Sequence, residues 1–156
     1  MWDTATPIEE TLRTFDDLIK SGKIRHYGFS NVCGWQMQKI SDTAKLLNLN
    51  PCVSLQQHYN LLTRDSELES LIACQNEGIY VLPWGPLRGG MLTGKFKKDQ
   101  EPDATGSRVG YFNSKKEIPH WMKDWIEFGS NDKYWALITV IETIAKAHGI
   151  VHFILF

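Results

Sequence analysis

Three short stretches carry side chains able to grip a flat, amide-bearing ligand: Ser30-Asn31, Gln56, and Trp84-Gly85-Pro86-Leu87. A primary amide both donates and accepts, so Asn31 and Gln56 can pair with another amide in both directions, and an indole can stack on a flat heterocycle. Nicotinamide, a carboxamide on an aromatic ring, has the matching chemistry. Each residue also has a plainer reading. Ser-Asn after a strand commonly forms a turn or caps a helix. Gln56 can be a satisfied buried amide, and Trp84 can be core.

Arg88-Gly89-Gly90 and Thr93-Gly94-Lys95 follow directly. Glycines let the backbone approach an anion, and the lysine adds charge. The spacing is not that of a P-loop, and the sequence holds no GxGxxG, GxSxG or HExxH. No Ser-His-Asp set is recognisable. His26, His58, His120, His148 and His152 fall in no metal-ligand pattern, so no metal is expected. Cys33, Cys52 and Cys74 are an odd number without CxxC spacing, which reads as reduced thiols and a cytoplasmic setting.

The elements that must position these residues follow from periodicity. Thr6-Pro7-Ile8-Glu9 reads as a capping box, and Ile8, Leu12, Phe15 and Ile19 recur on one helix face up to Ser21-Gly22. A short strand is expected over 24–30. A second helix places Met37, Ile40, Ala44 and Leu47 on one face and ends between Asn48 and Pro51. Strands are expected at 52–56 and 79–84, with a helix over about 66–77 between them whose Leu68, Leu71 and Ile72 point inward and whose end is Gly78. Strand starts 28 and 27 residues apart, separated by helices, indicate βαβ units and a parallel sheet. In such folds ligands bind beyond the carboxyl ends of the strands, where Ser30, Asn31, Gln56 and Trp84 stand. From 95 to about 131 the pattern dissolves around Tyr111, Phe112, Trp121 and Trp125. A last helix, about 132–148, turns Leu137, Ile141 and Ile144 to one side before Gly149.

Composition agrees with a globular domain: 156 residues, 42% hydrophobic and 22% charged. A net charge of -1 leaves no electrostatic footprint for nucleic acid. No run approaches the ~20 apolar residues of a membrane span. Asp3 near the start argues against a secretory signal.

GKIRHYGFSNVCGWQMQKI, VSLQQHYNLLTRD and GIYVLPWGPLRGGMLTGKF, in that order, resemble the aldo-keto reductases. The similarity is greatest to the branch of NADP-linked oxidoreductases and potassium-channel β subunits. It implies an α/β fold, part of a (β/α)8 barrel covering roughly strands 5–7, that binds NADP(H) in an extended pose and reduces aldehydes or ketones. Ser30 and Asn31 would hold the carboxamide with Gln56 beside them, and Trp84 would stack on nicotinamide. Gly85, Pro86, Leu87, Gly89 and Gly90 would line the pyrophosphate path with Lys95 close by. Arg108 would sit in the loop that closes over the cofactor. The family usually has Ser where this chain has Gly85, which puts one hydroxyl contact in doubt.

The family's catalytic Asp, Tyr, Lys and His are expected before the stretch that matches WDTATPIEE. No catalytic residue is therefore assigned in this chain, and Tyr27, Tyr59 and Lys23 are not recruited to that role. Residues 1–149 are expected to be an incomplete barrel domain, truncated at both ends, and 150–156 a divergent apolar tail. An incomplete sheet would expose its edges and inner face, so a protein partner or self-association is expected to cover it. The alternative is a non-catalytic module, binding a nucleotide or a protein, akin to a channel β subunit.

Overall fold

The computed structural model describes residues 2–115 and 123–150. The chain divides into two units, Met1–Pro86 and Leu87–Phe156. The expected positions Met1, His120, Trp121, His152 and the tail beyond 150 lie outside the described residues.

The first unit holds α1 (Ile8–Lys20), β1 (Gly28–Ser30), α2 (Gly34–Leu46), β2 (Ser54–His58), a 3-10 turn (Asp65–Leu68), α3 (Ser70–Glu77) and β3 (Tyr80–Trp84). The strands form one parallel sheet in the order β1-β2-β3. Its register sets Ser30 beside Gln56, Gln56 beside Leu82, and His58 beside Trp84. Successive strand residues point to opposite faces. Phe29, Leu55 and Val81 therefore face the helices, where Leu55 is fully buried with Leu12, Met37, Ile40, Ala44 and Cys74. Ser30, Gln56, His58 and Trp84 share the other face with Tyr80 and Leu82, which are 76% and 50% exposed.

Local chemistry accounts for the departures from expectation. The Thr6 capping box does not form. The Thr6 hydroxyl donates instead to Asp3, which also takes the Ala5 N–H, and α1 begins behind an extended Pro7. A carboxylate three residues back competes for the hydroxyl and wins. The capping-type contact occurs on α2, where the Cys33 N–H donates to Gln36 Oε1 at 2.9 Å. Of the residues expected inward here, Leu68, at the end of the 3-10 turn, is 81% exposed and Ile72 in α3 is 52% exposed, while Leu71 is half-buried. The helix starts afresh at Ser70 after the 3-10 turn, so its phase shifts, and Ser70, Ala73 and Cys74 face α2. Ser70 Oγ donates to the Val32 carbonyl at 3.2 Å, a contact that a larger side chain would block. Gly78 ends the helix at φ 66°, as expected from a left-handed C-terminal position.

Asp16 ties α1 to the loop before β2. Its Oδ1 accepts from the Asn50 backbone N–H at 2.9 Å and side-chain amide at 2.7 Å, while Lys20 sits 2.5 Å from Oδ2. The Lys20 ion pair, followed by the two Asn50 hydrogen bonds, lowers the Asp16 pKa to about 2.

The second unit holds a turn of 3-10 character (Arg88–Thr93), α4 (Arg108–Asn113), α5 (Asp124–Phe128) and α6 (Asp132–Ala147). Ser107 caps α4 by accepting from the Gly110 N–H, and Asn131 caps α6 by accepting from the Lys133 N–H. Helix α6 buries Tyr134, Ile138, Ile141 and Ala145. Ile141 was expected inside, whereas Ile144 is 43% exposed. The Tyr134 hydroxyl donates to the Met91 carbonyl at 2.7 Å, and burial pushes its pKa up to about 12.

Candidate functional site

In the first unit, three of the expected residues meet at the carboxyl ends of the strands. Asn31 follows β1 in the left-handed conformation, φ 52°, which asparagine tolerates better than most residues. Its backbone N–H donates to the Gln56 carbonyl at 3.0 Å, and its Oδ1 accepts from the Trp84 indole N–H at 2.8 Å. One half of the expected two-way amide contact is thus engaged by the protein, which leaves the Asn31 Nδ2 hydrogens as the group to offer a ligand. Gln56 is exposed on the same sheet face, and its amide makes no hydrogen bond among the described residues. Ser30 is half-buried one strand over. Pro86 is exposed next to Gly85, whose φ of 65° suits glycine.

Two residues here went unassigned in the sequence. The His58 ring stacks on the Trp84 indole, with centroids 4.0 Å apart and planes 8° from parallel. Asn60 is buried and donates through Nδ2 to the Gly85 carbonyl at 2.9 Å, with His58 Nε2 at 3.3 Å from the same nitrogen. The signal for His58 was available: it lies two residues beyond Gln56, so strand alternation puts both on one face.

Tyr59 lies between them in sequence but turns elsewhere. Its hydroxyl donates to Glu67 Oε1 at 2.5 Å, and that hydrogen bond to a carboxylate raises the Tyr59 pKa. Arg64, through two hydrogen bonds, and then Tyr59 lower that of Glu67. Tyr27 is buried, donates to the Asn50 carbonyl, and is pushed well above the usual phenol range by desolvation. Both shifts run away from those of a proton donor tuned for neutral pH.

The second unit carries the other assigned residues. Leu87 opens the turn, its carbonyl accepting from the Gly90 and Leu92 N–H groups. Arg88, Gly89 and Gly90 run at positive φ of 48°, 62° and 103°. A Cβ on Gly90 would lie 2.9 Å from Lys95 Cε and Nζ, so the end of the lysine rests against the bare backbone of a glycine at φ 103°. Lys95 also lines a cavity of about 330 Å³ with Phe96, Lys97, Gln100 and Ser107. Arg108 is exposed at the start of α4 and is not among the residues lining that cavity. Arg88 pairs with the buried Asp124 at 2.6 Å and with Glu127 at 3.3 Å, and lies over the Phe128 ring.

Among the described residues no group of three His, Cys, Asp or Glu could hold a metal ion. None of their helices is long and apolar enough to cross a membrane.

A parallel α/β layer with helices on one face, and polar and aromatic side chains at its strand ends on the other, defines a segment of a (β/α)8-type barrel. A sequence model of the aldo/keto reductase family matches residues 1–153, and the chain belongs to that family of oxidoreductases. An aldo-keto reductase of Babesia bovis is 36% identical over 107 residues, covering 67% of this chain and 38% of its own length. The versiconal hemiacetal acetate reductase of Aspergillus parasiticus is 33% identical over 90 residues, 58% of this chain and 26% of that protein. The glycerol dehydrogenase of Gluconobacter oxydans superposes with a TM-score of 0.74 at 27% identity, over 97% of this chain and 41% of that structure. The chain thus spans about two-fifths of the length of the first relatives it matches.

Proposed function

We propose that this chain forms the cofactor-holding part of an NADP(H)-dependent oxidoreductase that reduces aldehydes or ketones in the cytoplasm. The observation that carries this reading is the Trp84 indole, edge-anchored by Asn31 beside the open Gln56 amide. The donor set fits the group. In the first unit Trp84 offers an aromatic face, Asn31 Nδ2 a donor for a carboxamide oxygen, and Gln56 both a donor and an acceptor. In the second unit Gly89, Gly90 and Lys95 supply a close-approach backbone and a positive charge suited to phosphate. When bound, the cofactor supplies hydride; the residues of this chain bind and orient it. No side chain here is assigned the proton transfer that carbonyl reduction requires, so the chain alone is expected to turn over no aldehyde.

Titrating NADPH into the purified chain tests the binding. Tryptophan emission should be quenched, and Trp84→Ala should abolish the quenching. Unchanged emission at millimolar NADPH would remove the reading.

A second reading, a non-catalytic module whose sheet is covered by a protein partner or a second copy, draws on the exposure of Tyr80 and Leu82 beside Gln56. It expects NADPH binding without turnover even when the remainder of a longer parent protein is supplied.

A further inference from the structure

We propose that His58 is a positioning residue for Trp84: it occupies one face of the indole, so that a nicotinamide can stack only on the other. This rests on the cofactor reading above and names the group that decides the geometry of its central contact.

Asn60 anchors the edge of the stacked pair. Its Oδ1 accepts from the Leu62 backbone N–H at 2.9 Å, which can only donate, so the amide orientation is settled. The Nδ2 group then faces the Gly85 carbonyl at 2.9 Å and His58 Nε2 at 3.3 Å. Both contacts converge on one nitrogen, which ties the edge of the imidazole to the Gly85 backbone. An imidazole whose edge meets Asn60 and whose ring is stacked at 4.0 Å and 8° is a flat support, and its partner is an indole whose N–H is already fixed by Asn31. Clamped on one face and at its edge, Trp84 keeps one face for a ligand.

Gly85 belongs to the same arrangement. A Cβ there would lie 3.2 Å from His58 Cδ2 and Nε2, closer than ordinary contact. The glycine that stands where the family usually has serine therefore makes room for the imidazole. The loss of one hydroxyl and the presence of the stacked ring are two sides of one packing solution.

The test uses the full chain and reads Trp84 twice. Six tryptophans are present, so the Trp84 share is obtained by subtracting the spectrum of the matching Trp84→Phe variant. Without cofactor, His58→Ala should open the covered indole face to water and move Trp84 emission to longer wavelength. His58→Phe, which keeps a flat ring in place, should restore it. With NADPH, His58→Ala should weaken binding about tenfold, the worth of one aromatic pair, and His58→Phe should recover most of it. A Trp84 spectrum unchanged in His58→Ala overturns the proposal, as does a His58→Phe variant that binds as weakly as His58→Ala. If the parent chain itself fails to bind NADPH, the cofactor reading falls, and the positioning of Trp84 by His58 is then decided by the cofactor-free spectra alone.

Discussion

The Trp84 indole N–H donates to the side-chain oxygen of Asn31, 2.8 Å away, across the carboxyl ends of two strands that are not neighbours in the sheet. A single hydrogen bond thus spans β2 and fixes the edge of the aromatic ring. Asn31 makes it from a left-handed backbone at φ 52°, just past the end of β1.

Replacing Asn31 with glycine separates the side chain from the backbone. Glycine adopts φ 52° without strain, so the fold should persist. The indole loses its anchor and the ligand loses one donor. Isothermal titration should show NADPH affinity lowered by roughly tenfold, the worth of a hydrogen bond near 1 kcal/mol with some disorder of the ring. An unchanged affinity would mean that the indole needs no anchor.

Gly85→Ser should weaken binding, although it restores the residue common in the family. The new Cβ would meet the His58 ring at 3.2 Å and sit at φ 65°, so the stacked imidazole must give by a few tenths of an ångström on a strained backbone. Pairing the substitution with His58→Ala removes the obstruction, and the double variant should bind NADPH more tightly than Gly85→Ser alone. Equal affinities for the two would show that serine and His58 do not compete.

Asp124→Asn should destabilise the fold, because it removes the buried carboxylate charge that the half-buried Arg88 guanidinium meets at 2.6 Å. Arg88 is also a non-glycine residue at φ 48°, a conformation that glycine adopts freely. The double variant Arg88→Gly with Asp124→Asn should therefore recover part of the loss. Urea denaturation followed by circular dichroism measures both, and a double variant no more stable than Asp124→Asn would argue against it.

Stability should fall in strong acid through Asp16. Its folded-state pKa, about 2, lies below the ordinary aspartate value of roughly 3.9, so its contribution is fully present above about pH 4 and is lost as pH drops toward 2. Thermal midpoints recorded between neutral pH and pH 2 should decline over that window. In Asp16→Asn the decline should be shallower, since the titrating group is gone. Parallel curves would assign the acid sensitivity to other carboxylates.

Much of this was legible in the residues themselves. Alternating strands and helices at near-equal spacing gave the parallel sheet, because a βαβ crossover needs about that many residues. The apolar series Ile8, Leu12, Phe15, Ile19 and Met37, Ile40, Ala44 gave two helix faces that do pack on the sheet. Gly78 and Gly149 mark helix ends at positive φ, since only a missing Cβ makes that conformation cheap. Ser30, Asn31 and Trp84 could be placed at strand ends from spacing alone, whereas Gln56, expected to end its strand, lies two residues inside β2, which runs on to His58.

Tertiary structure decided the rest, and the reason is competition between partners distant in the chain. Periodicity assigned Leu68 and Ile72 to the core, but a break at Glu69 rotated α3 and turned small residues inward against α2. A local pattern gave Thr6 to the helix cap, but Asp3 took its hydroxyl. Amide chemistry made Asn31 a two-way ligand, but the indole of Trp84, 53 residues away, claimed its oxygen. His58 carried no assignment until the register set it beside Trp84. Backbone preference and side-chain type are properties of a residue and its near neighbours, so they can be read in order. Which donor meets which acceptor depends on distances that exist only once the strands are side by side.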